Sequence, residues 1–164
     1  MANNSVRVGI VMGSSSDATV AHEAVKMLEE LEIPYEQRVI SAHRTPREAA
    51  AYAESARERG IGVLIAVAGL AAHLPGVLAA YTTLPVIGVP VDTGPLRGFD
   101  ALTAMVQMPS GVPVATVGIG NARNAALLSA SILAVSDVAL AERLAAWREK
   151  QADRVRQADQ ELQR

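Results

Sequence analysis

Five short apolar segments, each followed by a glycine-rich or polar turn and then by a helical pattern, constrain the fold of this chain most strongly. Nearly continuous apolar runs of this length are typical of parallel strands that are buried on both faces. The repeated order of strand, turn and helix predicts an α/β fold with a three-layer, doubly wound parallel sheet. We expect the common five-stranded order 2-1-3-4-5. The predicted strands span residues 6–12, 35–40, 63–68, 85–89 and 112–117.

Helical patterns fill the segments between these strands. In the first helix, one face collects apolar side chains while charged side chains lie mostly on the other face. The second helix is expected over residues 46–59, with Gly60 as its C-terminal cap. A short helix follows the small-residue turn 69–76, and further helices are expected over 99–107 and 121–135. The apolar face of the first helix comprises Val20, Ala24, Met27, Leu28 and Leu31.

The C-terminal segment differs from the rest because it combines one narrow apolar stripe with a densely charged face. Ser136 is expected to cap a helix that continues from Asp137 almost to the end. The stripe weakens beyond Trp147, so only the last turns are expected to fray. Such a stripe covers either the helix's own sheet layer or a neighbouring subunit. We expect one domain over residues 1–164, with a core at about 6–136 and this helix at about 137–160. The stripe comprises Leu140, Leu144, Trp147, Gln151, Val155, Ala158 and Leu162.

Several classes of protein are disfavoured by composition and charge. The net charge of −2 gives no electrostatic footprint for nucleic acid or an anionic membrane. The absence of cysteine excludes disulfides, thiolate metal sites and cysteine nucleophiles. Residues 1–5 lack the basic start of a secretory signal, and no apolar run approaches the roughly 20 residues that span a bilayer. We therefore expect a cytoplasmic protein.

The turn after the second strand, within residues 39–46, carries the first candidate site. It reads V-I-S-A-H-R-T-P and places Ser41, His43 and Arg44 between a strand end and a helix start. Thr45 is expected to be the helix N-cap, with Pro46 at the first helical position and a capping box completed three residues after the cap, at Glu48. Ligands of open α/β sheets bind at this edge, and imidazole is the only side chain in the turn that exchanges protons near neutral pH. A capped, solvated turn without function is the alternative.

Two other turns end at the same edge of the predicted sheet. The segment G-S-S-S-D, ending at Asp17, offers backbone amides and serine hydroxyls to an anion, while Asp17 can accept from ribose hydroxyls. The simpler interpretation is that Ser16 or Asp17 only caps the following helix. His73 follows the third strand and can share a pocket with His43, although a partly buried histidine bonded to backbone is the alternative. His22 is expected on a surface or in helix packing.

Other kinds of site find no support in the sequence. The three histidines lie on different predicted elements, so no metal site is evident. The dinucleotide fingerprint, the P-loop and the G-x-S-x-G elbow are absent. A signalling receiver would need acidic residues where Gly13, Ser14 and Gly69 stand, and a flavin carrier would need better-placed aromatic residues. The pattern therefore favours binding of a phosphorylated small molecule and movement of a proton on it.

Six separated sequence blocks resemble the class I N5-carboxyaminoimidazole ribonucleotide mutases of purine biosynthesis, the PurE family. Each block alone is weak, whereas six in the same order, between about Val6 and Trp147, are specific. The blocks are M-G-S-S-S-D at 12–17, S-A-H-R-T-P at 41–46, A-A-H-L-P-G at 71–76, P-V-I-G-V-P at 85–90, V-Q-M-P-S-G-V-P-V-A-T at 106–116 and N-A-A-L-L at 124–128.

The resemblance implies a flavodoxin-like fold, assembly as a homo-octamer, and carboxylate transfer from the exocyclic nitrogen to C4 of the aminoimidazole ring. In such enzymes the substrate decarboxylates, C4 attacks the trapped CO₂, and a histidine removes the C4 proton. No ATP, metal or biotin takes part. By position that histidine is His43. The resemblance also implies a phosphate site at Ser14, Ser16 and Arg44, a ribose site at Asp17, and a pocket around the base and CO₂ lined by Ser41, Ala42, Gly69, Ala71, His73 and Leu74.

The surviving alternative is the related class II carboxylase, which adds CO₂ directly to aminoimidazole ribonucleotide. Class II members resemble this chain but carry lysine and glycine where Arg44 and Thr45 stand, so Arg44-Thr45-Pro46 favours the mutase. Two departures from the class I pattern concern the pocket. Leu70 replaces a more usual glycine, and the loop V-D-T-G-P-L-R-G-F-D, which includes Asp92 and Phe99, is less typical and lies where it can close over the substrate.

Overall fold

The computed structural model describes residues 7–163 and contains a five-stranded parallel sheet in the order β2-β1-β3-β4-β5. The predicted strand order and the doubly wound α/β architecture are therefore confirmed. Val6, the predicted first residue of the first strand, and the N-terminal residues 1–5 lie outside the described residues. The strands are β1 (Val8–Met12), β2 (Tyr35–Val39), β3 (Val63–Ala68), β4 (Val86–Pro90) and β5 (Ala115–Thr116).

Six helices cover the two faces of the sheet within residues 7–163. One layer contains α1, α5 and α6, and the other contains α2, α3 and α4. A single 3-10 turn, Ser15–Asp17, precedes α1. The helices are α1 (Ala18–Glu30), α2 (Pro46–Ala56), α3 (Leu74–Ala80), α4 (Phe99–Val106), α5 (Ala122–Ala134) and α6 (Val138–Leu162).

Alternate side chains of the central strands feed two separate apolar cores. Val8 and Ile10 point to the core beneath α1 and α5, whereas Val11 points to the core beneath α2 and α3. All five residues of β1 and all six of β3 are buried, as expected for strands covered on both faces. The apolar face predicted for the first helix is confirmed, since Ala24, Met27, Leu28 and Leu31 are buried and Val20 packs against the same core.

The fifth strand is much shorter than predicted. Regular pairing with β4 covers only Ala115 and Thr116, with one further bond from the N–H of Val117 to the carbonyl of Gly88, instead of the whole of 112–117. Pro113 has no N–H to donate to a ladder, and the N–H of Val112 is already bonded to the carbonyl of Pro109. The apolar composition of the segment is satisfied without pairing because Val114 packs beneath Gly88.

Three predicted helix caps differ in the structure. Thr45 occupies the N-cap position and Pro46 the first helical position, but the capping box with Glu48 does not form. The Thr45 hydroxyl instead accepts from the N–H of Ser41 at 2.9 Å and donates to the Ser41 carbonyl at 3.1 Å. Asp17 occupies the N-cap position of α1 but makes no side-chain cap bond to it, whereas the Ser14 hydroxyl caps the preceding 3-10 turn.

The C-terminal helix is capped by Asp137, whose carboxylate accepts from the N–H of Leu140 at 3.0 Å, and not by Ser136. Leu140 and Leu144 are buried against α1 and α5, and the Trp147 indole donates to Glu30 at 3.0 Å. The first half of the apolar stripe therefore covers the chain's own helices. The second half continues as helix to Leu162, close to the predicted end at about 160, and Val155 is 71% exposed.

The predicted end of the second helix is confirmed at Gly60, although regular helix stops at Ala56. The N–H of Ile61 bonds to the carbonyl of Ala56, and the N–H of Gly60 bonds to that of Arg57. This pair of bonds is the Schellman arrangement, and Gly60 adopts the left-handed φ of 86° that it requires.

Candidate functional site

The turns that follow β1, β2 and β3 meet at the carboxyl edge of the sheet, beside the point where the strand order reverses. They enclose an open cleft of about 470 Å³. Every site residue expected from the sequence lines this cleft, and the structure thus brings together residues from three separate segments. These residues are Ser14, Ser16, Asp17, Ser41, Ala42, His43, Arg44, Gly69, Ala71, His73 and Leu74.

The first turn forms an anion-binding shape from its own hydrogen bonds. The Ser14 hydroxyl accepts from the N–H of Ser16 at 3.3 Å, while the Asp17 carboxylate accepts from the N–H of Ser14 at 3.1 Å. The Ser16 hydroxyl donates to that of Ser14 at 3.0 Å. These bonds hold two hydroxyls and the start of a helix toward the cleft, an arrangement that favours a phosphate group.

Asp17 is the one charged residue of the cleft that is nearly buried, at 7% exposure. Burial raises the pKa of its carboxyl above the usual 3.8, against the opposing effects of the Ser14 N–H, the Ser16 hydroxyl and the Arg44 charge. Asp17 and Ser14 form a capping box: the Asp17 carboxylate accepts from the backbone at Ser14, and the Ser14 hydroxyl accepts from the backbone near Asp17.

The second turn fixes the guanidinium of Arg44 across the cleft. Its Nε donates to the Ser41 hydroxyl at 3.3 Å, and its Nη2 donates to the carbonyl of Gly13 at 3.1 Å. The Ser41 hydroxyl also accepts from the backbone N–H of Arg44. Arg44 is thereby held beside the serine turn, where a phosphate would meet both a positive charge and the hydroxyls of Ser14 and Ser16.

The two cleft histidines contact each other directly. Nε2 of His43 lies 2.5 Å from Nδ1 of His73, and the rings meet edge to face with centroids 4.7 Å apart. A hydrogen bond between two ring nitrogens needs one donor and one acceptor, so both rings cannot carry two protons while it exists. Nδ1 of His73 thus has a side-chain partner in place of the backbone partner that the alternative assumed. His22 is exposed on α1, as expected.

The third turn supplies an apolar wall with unusual backbone geometry. Leu70 and Ala72 have left-handed φ values of 55° and 47°, a conformation that costs about 1–3 kcal/mol for residues other than glycine. Leu74 is 2% exposed and closes the base of the cleft. Glycine would adopt this conformation at position 70 without strain.

Sequence reasoning missed the contributions of Gly13 and Thr93. Gly13 takes part through its backbone carbonyl, which no side-chain pattern reveals. Thr93 reaches the cleft from the loop after β4, and the signal that could have found it is a hydroxyl placed directly after a buried strand. Within residues 7–163, no group of three or more His, Asp or Glu side chains is clustered closely enough to hold a metal ion.

Comparison with known proteins connects this cleft to one family. The family model described as AIR carboxylase matches residues 7–154. N5-carboxyaminoimidazole ribonucleotide mutase from Mycobacterium leprae is 56% identical over 158 residues, which is 96% of this chain and 92% of the relative. The protein of the same name from Pyrococcus abyssi is 57% identical over 143 residues, covering 87% of this chain and 82% of the relative.

A solved structure supports the same relationship. The crystal structure of Treponema denticola PurE superimposes with a TM-score of 0.87 at 30% identity and covers 96% of this chain and 98% of that one. The resemblance noted in the six sequence blocks thus extends to the whole described fold. The chain belongs to the AIR carboxylase family.

Proposed function

We propose that this protein is an N5-carboxyaminoimidazole ribonucleotide mutase, which moves a carboxylate from N5 to C4 of the aminoimidazole ring in purine biosynthesis. The observation that carries the proposal is the convergence of all eleven expected residues on one cleft. The curated relatives at 56% and 57% identity bear the name of this activity. The enzyme is accordingly an isomerase.

The phosphate of the nucleotide is assigned to the serine turn. Ser14 and Ser16 supply hydroxyls, the turn supplies a helix start, and Arg44 supplies a fixed positive charge. Asp17, whose carboxylate borders the same turn, accepts from the ribose hydroxyls. With the phosphate and ribose held there, the base points along the cleft toward the histidines and the wall formed by Ala71 and Leu74.

His43 is the proposed general acid and base. Decarboxylation of the substrate leaves the exocyclic amine and one CO₂ in the cleft, and C4 then attacks CO₂ to form the new C–C bond. An imidazole takes the proton from C4 and returns one to the exocyclic nitrogen that lost the carboxylate. The protons therefore balance over the cycle. The apolar wall of Ala71 and the buried Leu74 faces the CO₂ and restricts its escape. The 2.5 Å contact between Nε2 of His43 and Nδ1 of His73 makes one nitrogen the donor and the other the acceptor, and so couples the tautomer of His43 to that of His73.

The chain is further proposed to be one mutase domain over residues 1–164, with a core at about 6–136 and a C-terminal helix at about 137–160. It acts in the cytoplasm on a small nucleotide and assembles as a homo-octamer. Residues 7–163 contain no helix that is both long and apolar enough to cross a bilayer. The octamer is supported by apolar side chains that remain exposed on the single chain, among them Phe99 and Val106.

The activity is tested by supplying purified protein with N5-carboxyaminoimidazole ribonucleotide in the absence of ATP. We expect the C4-carboxylated isomer to form. Turnover only with aminoimidazole ribonucleotide and bicarbonate would assign the chain to the class II carboxylases instead. His43→Asn is expected to lower kcat by at least about 10²–10⁴-fold, the usual contribution of a general acid–base group.

A matched control is His22→Asn, which removes an exposed imidazole on α1 that does not line the cleft. We expect it to retain the parent kcat. His43→Asn should still fold and bind nucleotide, because the proposed phosphate and ribose contacts are made by other side chains, those of Ser14, Ser16, Asp17 and Arg44. Substantial activity in His43→Asn would remove this residue from its proposed role.

A further inference from the structure

The wall of the cleft is interlocked with the loop that follows β4. A methyl group added to Gly69 would overlap Cγ2 of Thr93, so the threonine methyl occupies the space that a side chain at 69 would need. In return, a methyl group at Gly94 would lie 2.6 Å from Cδ2 of Leu70, which occupies the space above Gly94. Each loop therefore places a side chain over a glycine of the other.

The loop after β4 is built to hold this position. Asp92 and Arg97 form an ion pair at 2.9 Å across its ends. Gly98 has a left-handed φ of 85°, and a methyl group there would lie 2.9 Å from the carbonyl of Val91. The N–H of Val91 bonds to the carbonyl of Ala68 at 3.0 Å, which ties the base of the loop to the end of β3. Thr93 and Gly94 are thus the inner residues of a supported loop.

The wall itself is the part that needs support. Leu70 and Ala72 both adopt the left-handed conformation, and only surrounding contacts keep residues with side chains in such a conformation. These two residues flank Ala71 and precede His73 and Leu74, which line the cleft. A shift of segment 69–72 by a fraction of an ångström would also move His73, the next residue along the chain, which contacts His43.

We propose that Thr93 is a positioning residue, whose methyl group on Gly69 holds the segment 69–74 in the geometry that the reaction needs. Leu70, packed on Gly94, is the reciprocal half of the same contact. Thr93 acts through the wall rather than on the reacting atoms. This inference rests on the proposed mutase activity, because its effect is read from turnover.

The test uses steric rescue between the two contacting positions. Gly69→Ala introduces a methyl group that overlaps Thr93, and a β-branched side chain has little rotamer freedom with which to move away. The other neighbours of that methyl, in Val91, lie at 3.4 Å and 3.6 Å, which is ordinary contact. Because φ at 69 is not left-handed, alanine is opposed there only by the threonine methyl. Thr93→Ser removes that methyl and keeps the hydroxyl.

We expect Gly69→Ala to lower kcat/KM by about tenfold or more, since a misplaced wall disturbs alignment. In Gly69→Ala/Thr93→Ser, kcat/KM should return to within about threefold of Thr93→Ser alone, a positive coupling in the double-mutant cycle. Thr93→Val, which keeps both γ positions filled, should stay closer to the parent than Thr93→Ser does. Each variant is also assayed for thermal unfolding, so that loss of folded protein is separated from loss of alignment.

Lack of rescue in the double variant would overturn the inference, as would a Gly69→Ala enzyme with parent kcat/KM. Should Gly69→Ala fail to fold, Leu70→Ala and Thr93→Ser decide the matter. Both are expected to raise KM or lower kcat without a matching loss of thermal stability, and unchanged values in both would reject the contact as a positioning device. An inactive parent protein would instead reject the proposed function.

Discussion

Asp17 shows how one residue can serve both the local turn and the cleft. Its carboxylate accepts from the N–H of Ser14 and helps to close the turn, yet the side chain is only 7% exposed. Removal from water disfavours the charged form and is the largest influence on the pKa, which lies above 3.8. The neutral carboxyl is thus relatively favoured by folding, and ionisation at higher pH opposes the folded state.

The first prediction concerns the pH dependence that follows. A raised folded-state pKa contributes stability that is fully present below the usual 3.8 and is lost as the pH rises through the folded-state pKa. Asp17→Asn cannot ionise and keeps an oxygen acceptor for Ser14. The Tm of Asp17→Asn minus that of the parent is therefore expected to become more positive between pH 3.5 and pH 7. In a chain of this size, each kcal/mol of change in the free energy of unfolding shifts the Tm by about 2–4 °C.

Thermal unfolding by circular dichroism at several pH values measures this difference. Asp159→Asn removes an exposed carboxylate on α6 and serves as the control for the change in net charge. A Tm difference for Asp17→Asn that falls as the pH rises would contradict the assigned cause, because it would mean that the carboxylate is stabilised in the folded protein.

For helices and strands, the sequence was most informative where a single factor, such as burial of apolar side chains on both faces, set the bounds of the element. Residues 63–68 were predicted as a strand at the observed bounds because every side chain is apolar, and both faces of β3 are covered. The positions of the turns were also predictable, and with them the shared edge of the serine turn, His43 and His73; the other cleft residues came from the family resemblance. What composition could not show was competition between partners, as with Thr45, whose hydroxyl bonds to Ser41 instead of the helix it precedes.

Direct contacts between distant residues were equally beyond the sequence. The bond between His43 and His73 depends on the distance between the ends of β2 and β3, and the packing of Thr93 on Gly69 depends on how β4 is placed. The start of α6 gives a further example, because Ser136 and Asp137 are both capping residue types. Asp137 is used since its carboxylate also pairs with Arg7 at the start of β1.

The Asp137 contact gives a prediction for the element it begins. Its bonds from the N–H of Leu140 and from Arg7 lower the pKa of the carboxyl below 3.8. A lowered pKa contributes stability that is present above the usual 3.8 and is lost as the pH falls through the folded-state pKa. Asp137→Ala is expected to lower the Tm at pH 7 by about 2–4 °C, as for loss of one helix cap, with a smaller difference in acid.

Asp137→Asn separates the two contacts, because asparagine is also a good N-cap but carries no charge for Arg7. Its Tm at pH 7 should fall between those of Asp137→Ala and the parent. Calorimetric scans of the three proteins at pH 7 and pH 3 provide the comparison. Equal Tm values for Asp137→Ala and the parent would show that α6 begins without help from this carboxylate.

On the scale of the whole molecule, two exposed apolar surfaces require explanation. The α4 patch comprises Leu96, Phe99, Val106 and Ile119, with exposures between 38% and 63%. Phe99 and Val106 share one face of α4 at seven-residue spacing, and Ile119 packs near Gly98 at its start. The second surface is the far half of the α6 stripe, where Val155 stands among charged side chains. The α4 patch has four large exposed apolar side chains, against Val155 and Leu162 on the far half of α6, and is the better candidate for contact between copies.

The proposed octamer makes this a quantitative prediction. Eight chains of 17.2 kDa give a mass of about 138 kDa, which light scattering coupled to size exclusion measures directly. Val106→Glu places a charge in the α4 patch, and burying an unpaired carboxylate in an interface costs several kcal/mol, enough to shift assembly toward smaller species. Val155→Glu makes the same chemical change in the α6 surface and is expected to leave the mass at the parent value.

Because the β4–α4 loop that carries Thr93 borders the α4 patch, the dissociated Val106→Glu protein should also have lower kcat/KM. A parent protein that elutes as a single chain with full mutase activity would contradict both the octamer and this link between assembly and the cleft.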